Sequence, residues 1–128
     1  MILSIDYGRR RVGLALSDET NLIAAAIDPL EVKGVEELLI KVKKILETNK
    51  ISSLVIGLPL GYDNKPTQMS DEILAFGKRI EEDAKIEVIF WNEASTSKIA
   101  KKIMNNKKGI DSNSARIILQ EYLDHIKY

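Results

Sequence analysis

Ile2-Leu3-Ser4-Ile5, ending at Asp6, and Val12-Gly13-Leu14-Ala15-Leu16 open the chain as two short apolar runs, with Tyr7-Gly8-Arg9-Arg10 as a tight polar connection between them. Each run is aliphatic, partly β-branched, and of strand length rather than helix length. A connection this short favours antiparallel neighbours. Asp18 to Asn21 then reads as a polar turn, and Leu22 to Leu30 as a third strand.

From Gly34 the period changes. Val35, Leu38, Leu39, Val42, Ile45 and Leu46 follow one helix face, with Glu and Lys opposite. Ile51 to Ile56 is a buried-type strand ending at Gly57, and Leu58 to Pro66, with its prolines and Asp63-Asn64, is a loop. A second helix follows, capped by Thr67, with Met69, Ile73, Phe76 and Ile80 inward. Ile86 to Trp91 is a fifth strand. Two helical segments follow it, Ser95 to Lys107 and Asp111 to Lys127, the latter with Ala115, Ile118, Leu119, Tyr122 and Ile126 on one face. This succession predicts an α/β fold with a mixed five-stranded sheet, strand order 3-2-1-4-5, flanked by helices.

The chain has 128 residues, with 45% hydrophobic and 30% charged, as expected of one globular domain over residues 1–128. The absence of cysteine removes disulfide scaffolds, thiolate zinc sites and cysteine nucleophiles. A single histidine, His125, leaves little room for multi-histidine metal sites and reads as exposed on the terminal helix. No apolar run approaches membrane-spanning length and Asp6 interrupts the first one early, so the expectation is a cytoplasmic protein without membrane contact. The 19 basic and 19 acidic residues balance, but their distribution is uneven. Arg9, Arg10 and Arg11 are consecutive, and Lys98, Lys101, Lys102, Lys107 and Lys108 fall in a window free of acids. Such a lysine run serves either as a solvated helix face or as a phosphate contact.

In the order 3-2-1-4-5 the first, fourth and fifth strands are parallel, so Asp6, Gly57 and Asn92-Glu93 share one sheet edge. Ligand sites collect at such carboxyl ends. With strands ~4.8 Å apart, Asp6 and Glu93 stand roughly 10 Å apart across a glycine that has no side chain to fill the space. Two hard cations ~3.8 Å apart need carboxylates roughly 8 Å apart, which suits Mg2+ or Mn2+ and not zinc. Taken alone, each acid has a simpler reading: Asp6 as a turn former, Glu93 as a loop residue, Asp111 as the N-cap of the last helix. Trp91 reads as core or rim, with base stacking the lesser alternative, and Ser95, Thr96 and Ser97 as capping hydroxyls without a base.

Ile5-Asp6-Tyr7-Gly8-Arg9-Arg10-Arg11-Val12-Gly13-Leu14-Ala15 with Ser17-Asp18 resembles the opening motif of the YqgF family. Val55-Ile56-Gly57-Leu58-Pro59-Leu60 resembles its second motif, and Ile110-Asp111 with Ala115, Ile117-Ile118-Leu119-Gln120 and Tyr122-Leu123-Asp124 its last. The resemblance spans the chain. It implies an RNase H-like fold and a pre-16S rRNA nuclease or Holliday junction resolvase-like activity. By position it implies Asp6, Glu93 and Asp111 as the catalytic, metal-holding acids, with Arg10 or Arg11 near the phosphates. One motif departs: Asn92-Glu93-Ala94-Ser95-Thr96-Ser97 stands where the family has Asp-Glu-Arg before a hydroxyl-rich pair.

The sequence thus predicts a nuclease that uses two divalent ions, Mg2+ or Mn2+, on structured nucleic acid, either pre-rRNA or branched DNA. Arg9, Arg10, Arg11, Lys107 and Lys108 would position the backbone. Two other readings stay open: a non-catalytic nucleic-acid-binding module in ribosome maturation, and one lobe of an actin-type ATPase suggested by Asp6-Tyr7-Gly8. A junction resolvase would want a dimer, whereas an RNA trimmer works as a monomer.

Overall fold

The computed structural model describes residues 1–59, 67–92 and 111–127. Five strands, β1 (Ile2–Asp6), β2 (Arg11–Ser17), β3 (Ala24–Glu31), β4 (Ser53–Leu58) and β5 (Glu87–Asn92), form one sheet in the order β3-β2-β1-β4-β5. β1 runs antiparallel to β2 and β2 to β3, while β4 is parallel to both β1 and β5. The predicted order and orientations are those observed. The expected helix from Ser95 to Lys107 lies outside the described residues.

The period-2 alternation of each strand divides two cores. Leu3, Ile5, Val12, Leu14, Leu54 and Ile56 pack under α1 (Val35–Thr48) and α2 (Gln68–Ala84) with Leu38, Val42, Ile73, Phe76 and Ile80. Ile2, Ala15, Ala24 and Val55 pack on the other face under α3 (Asp111–Lys127) with Ala115, Ile118, Leu119 and Leu123. Ser4, fully buried on that second face, donates its hydroxyl to the Ala115 carbonyl at 2.7 Å. Satisfying both groups is what allows a polar side chain between strand and helix.

Local chemistry sets the element ends. Thr67 caps α2 by a reciprocal box: its Oγ1 accepts from the Ser70 N–H at 3.1 Å, and its own N–H donates to Ser70 Oγ at 2.6 Å. Across β2 and β3, Val12 faces Leu30 but Leu14 faces Ile27, so β3 carries an extra residue in the Asp28-Pro29 stretch. A bulge on an edge strand is where a proline without an N–H is tolerated. Gly77 on α2 lies against β5; a Cβ there would stand 2.4 Å from Phe90 Cζ.

Two stripe assignments are corrected. Val35 opens α1 but is exposed, because the helix has not yet reached the sheet in its first turn. Ile126 is exposed as well, and Leu123, one turn earlier, is the last residue of α3 that reaches the core. His125 is exposed as expected.

Candidate functional site

Ile5 pairs with Ile56, Ile56 with Phe90, and Gly57 with Trp91. Asp6 and Gly57 each follow a matched pair by one residue, so they close neighbouring parallel strands at the same level. Asp6 continues the alternation of Ile2 and Ser4, and Gly57 that of Val55, which puts both on the α3 face. Asp6 is half-buried there and Gly57 is buried. Trp91 completes the row on β5, and its ring turns onto α3. It meets Tyr122 edge-on at 5.7 Å and His125 at 5.3 Å, while Nε1–H donates to Glu121 at 3.4 Å. The rim reading of Trp91 therefore holds, with its ring occupied by protein contacts.

The path of α3 places Asp111. Ala115 sits over Ser4, and Gln120 reaches β3, its Oε1 accepting from the Ala24 N–H at 2.9 Å and its Nε2 donating to the Leu22 carbonyl at 3.0 Å. Ala24 pairs with Ser17, whose Oγ accepts from the Ile2 N–H, so Ala24 stands level with the start of β1. Going from Ala115 to Gln120, α3 runs back toward that start. Its first residue, Asp111, one turn before Ala115, therefore stands at the end of the sheet where Asp6 lies. The backbone thus puts Asp6 and the start of α3 at the same end of one face. Glu93, which directly follows β5, lies outside the described residues, as do Lys107 and Lys108. Among the described residues no three His, Cys, Asp or Glu groups converge.

Asp18, from the opening motif, is a turn builder. Its Oδ2 accepts from the Thr20 hydroxyl at 2.6 Å and its Oδ1 from the N–H groups of Leu22 and Ile23. These bonds, the Thr20 hydroxyl first, hold its carboxyl below the usual range.

The three arginines diverge. Gly8 has no room for a side chain, since a Cβ would stand 2.2 Å from the Arg11 carbonyl oxygen, and this fixes how the connection leaves β1. Arg9 turns to α2, where its Nε and Nη2 both donate to Glu72 Oε2, at 3.0 Å and 2.5 Å. Tyr7 rests its ring on Phe76, with centroids 5.6 Å apart, and places its hydroxyl 3.5 Å from Glu72 Oε1. The hydrogen bond from Arg9 holds the Glu72 carboxyl below its ordinary range; burial, then the Glu72 charge, push the Tyr7 phenol up. Arg10 and Arg11 instead line an open groove with Glu31, Lys33 and Glu37 at the start of α1, and the Arg10 carbonyl accepts the Val32 N–H at 2.8 Å. Sequence reasoning missed Glu72. It lies 63 residues from Arg9 with no local signal, and only the docking of α2 joins them.

The family model for RuvX, described as Holliday junction resolvase, matches residues 1–125. Two curated relatives carry the name "Putative pre-16S rRNA nuclease". The one from Dictyoglomus thermophilum is 34% identical over 96% of this chain and 94% of its own length. The one from Caldanaerobacter subterraneus is 30% identical over 98% and 97%. Among solved structures, Thermus thermophilus RuvC superposes with a TM-score of 0.63 at 13% identity, over 98% of this chain and 95% of that one. Fowlpox virus resolvase, solved with substrate Holliday junction DNA, gives 0.57 at 15% identity over 99% of each chain. The structural likeness shows the RNase H-like resolvase fold. The sequence match over nearly the whole length shows more: this chain belongs to the RuvX family.

Proposed function

We propose that this protein is a divalent-metal-dependent nuclease of the cytoplasm that hydrolyses phosphodiester bonds in structured nucleic acid, either at the 5′ end of pre-16S rRNA or in a Holliday junction. The observation that supports this reading is that Asp6 and the start of α3, at Asp111, fall at the same end of one sheet face, next to Gly57, which has no side chain. The names of the curated relatives favour the RNA and the family description favours the junction.

The donor set fits a hard cation. Asp6 is half-buried at the end of β1, Asp111 begins α3, and the chain has no cysteine and one histidine, which packs on Trp91. Carboxylate oxygens of this kind suit Mg2+ or Mn2+. In this reading Asp6, Asp111 and Glu93 would hold the ions, which would supply Lewis acidity toward the phosphodiester. The chain's own residues do the rest. The amino end of α3 is the positive end of its helix dipole, which favours negative charge. Arg10 and Arg11, with Lys107 and Lys108, contact the backbone without reading sequence.

Asn92 continues the alternation of Val88 and Phe90, which belong to the α1–α2 face, whereas Asp6 is on the α3 face. The amide that replaces the family's acid at this position therefore subtracts nothing from the Asp6 face, which supports the catalytic reading over a binding module. No helix among the described residues is long and apolar enough to cross a membrane.

The test is product mapping with purified protein on a pre-16S rRNA fragment and a four-way DNA junction, with Mg2+ and with Mn2+. Discrete cleavage of either substrate, lost in Asp6→Asn, is expected. No cleavage of both, or equal cleavage by the variant, would overturn the assignment.

A further inference from the structure

We propose that Glu72 is a specificity-determining residue that competes with nucleic acid for Arg9: its carboxylate holds the guanidinium in the free protein and yields it to a substrate phosphate. The inference rests on the nuclease reading and adds to it how the protein discounts unsuitable polyanions.

Arg9 follows Asp6 by three residues in the connection that leaves β1 and bonds to α2, so its guanidinium lies toward the end of the sheet where Asp6 lies, over the α1–α2 face and not the α3 face that carries Asp6. Its Nε–Nη2 edge is occupied by Glu72. That edge is also the one a phosphate takes, because carboxylate and phosphate oxygens match the guanidinium fork alike. The pair is open to exchange, with the Arg9 side chain 56% and the Glu72 side chain 34% exposed. Glu72 is nonetheless held in place: Phe76, one turn on along the same helix face, carries the Tyr7 ring, and the Tyr7 hydroxyl lies beside Oε1. The exposed pairs Arg79–Glu36 and Lys43–Asp83 tie α1 to α2, and neither involves the connection after Asp6.

The consequence is a filter. An unpaired arginine at this end of the sheet would add one phosphate contact to every nucleic acid, whatever its shape. With Glu72 in place, the contact returns only when an anchored substrate lays a phosphate where the carboxylate was. Nucleic acids that miss this alignment meet a neutral pair.

The experiment is a salt titration of binding by the full-length wild type, Glu72→Gln, Arg9→Ala and the double variant. The probes are a four-way DNA junction and an unstructured RNA oligonucleotide of equal charge. Glu82→Gln, an exposed acid farther along α2, reports the general effect of removing one negative charge. Glu72→Gln is expected to bind the unstructured RNA roughly three- to fivefold more tightly at low salt and to steepen log K against log salt by about 0.7 to 0.9. The junction should gain less. In the Arg9→Ala background the same change should do no more than Glu82→Gln does. Glu72→Ala, checked for an unchanged melting temperature, should repeat the result without an amide that can still accept from Arg9. A gain that persists without Arg9, or a Glu72→Gln no different from Glu82→Gln, overturns the competitor role while leaving the nuclease reading intact. A wild type that binds neither probe overturns both.

Discussion

Ser4→Ala tests whether the buried hydroxyl under α3 sets the position of Asp111. The side chain is fully buried and its one bond, 2.7 Å to the Ala115 carbonyl, joins residues 111 apart in sequence. Ala115 lies inside α3, where its carbonyl also receives the ordinary helical N–H, so the change leaves no orphaned acceptor. The loss is that of one neutral buried hydrogen bond, about 0.5–1.5 kcal/mol. For a domain of this size that lowers the melting temperature by roughly 2–6 °C. A total stability of ~5–15 kcal/mol keeps the variant folded at 25 °C. A fall in single-turnover cleavage at that temperature therefore reports displacement of the amino end of α3 and not unfolding. The expected outcome is a modest fall in melting temperature with a disproportionate fall in cleavage, about tenfold or more, since ångström-scale misplacement costs up to ~100-fold. A lower melting temperature with wild-type cleavage would show that other contacts place Asp111. An unchanged melting temperature would show that the bond contributes nothing net.

Asp6→Asn should reduce cleavage by orders of magnitude, with binding unchanged or tighter, and should abolish the rise in melting temperature that millimolar Mg2+ or Mn2+ produces in the wild type at constant ionic strength; no rise in the wild type counts against the metal site. Gly77→Ala should destabilise by about 1–2 kcal/mol although alanine is the better helix former, because overpacking against Phe90 exceeds the ~1 kcal/mol propensity gain. In a Phe90→Leu background the same change should turn neutral or stabilising, as read by urea unfolding. The carboxyls of Glu36, Glu72 and Asp83 titrate below their ordinary range because Arg79, Arg9 and Lys43 bond them. As their folded pKa values lie below the unfolded ones, near 4, their stabilisation is complete at neutral pH and is lost as pH falls through the folded values. Urea midpoints should drop below about pH 4, and Glu36→Gln should flatten that drop; midpoints that rise on acidification would contradict the ion-pair account.

What was legible in the sequence is what period and punctuation encode. The apolar runs around Tyr7-Gly8-Arg9-Arg10, the helical stripes of α1 and α2, the Thr67 cap and the 3-2-1-4-5 order all follow from local spacing and connection length. The edge that joins Asp6 and Gly57 followed from that order, since register is fixed once neighbours are. Three features were not legible. The extra residue at Asp28-Pro29 depends on how an edge strand meets β2, the close approach of Gly77 on how α2 seats on Phe90, and the Arg9–Glu72 pair on both the seating of α2 and the exit from β1. Each is a tertiary contact between residues whose own neighbours give no hint of it. Helix stripes also overstate burial at their ends, as Val35 and Ile126 show.

The two faces of the sheet are covered at different times during synthesis. By Asn92 the chain has made all five strands and both helices of the α1–α2 face, so that half of the core can close on the ribosome. On the other face, with Ile2, Ala15 and Val55, the only helix among the described residues that packs is α3, and Ser4 waits for Ala115. At ~5–20 residues per second, the thirty-odd residues from Asn92 to the end of α3 leave this apolar sheet face without α3 for seconds. During that interval the nascent protein is a substrate for holding chaperones. A message truncated ahead of Asp111 would lack the Ala115, Ile118, Leu119 and Leu123 that pack on this face, leaving the sheet prone to aggregation or proteolysis.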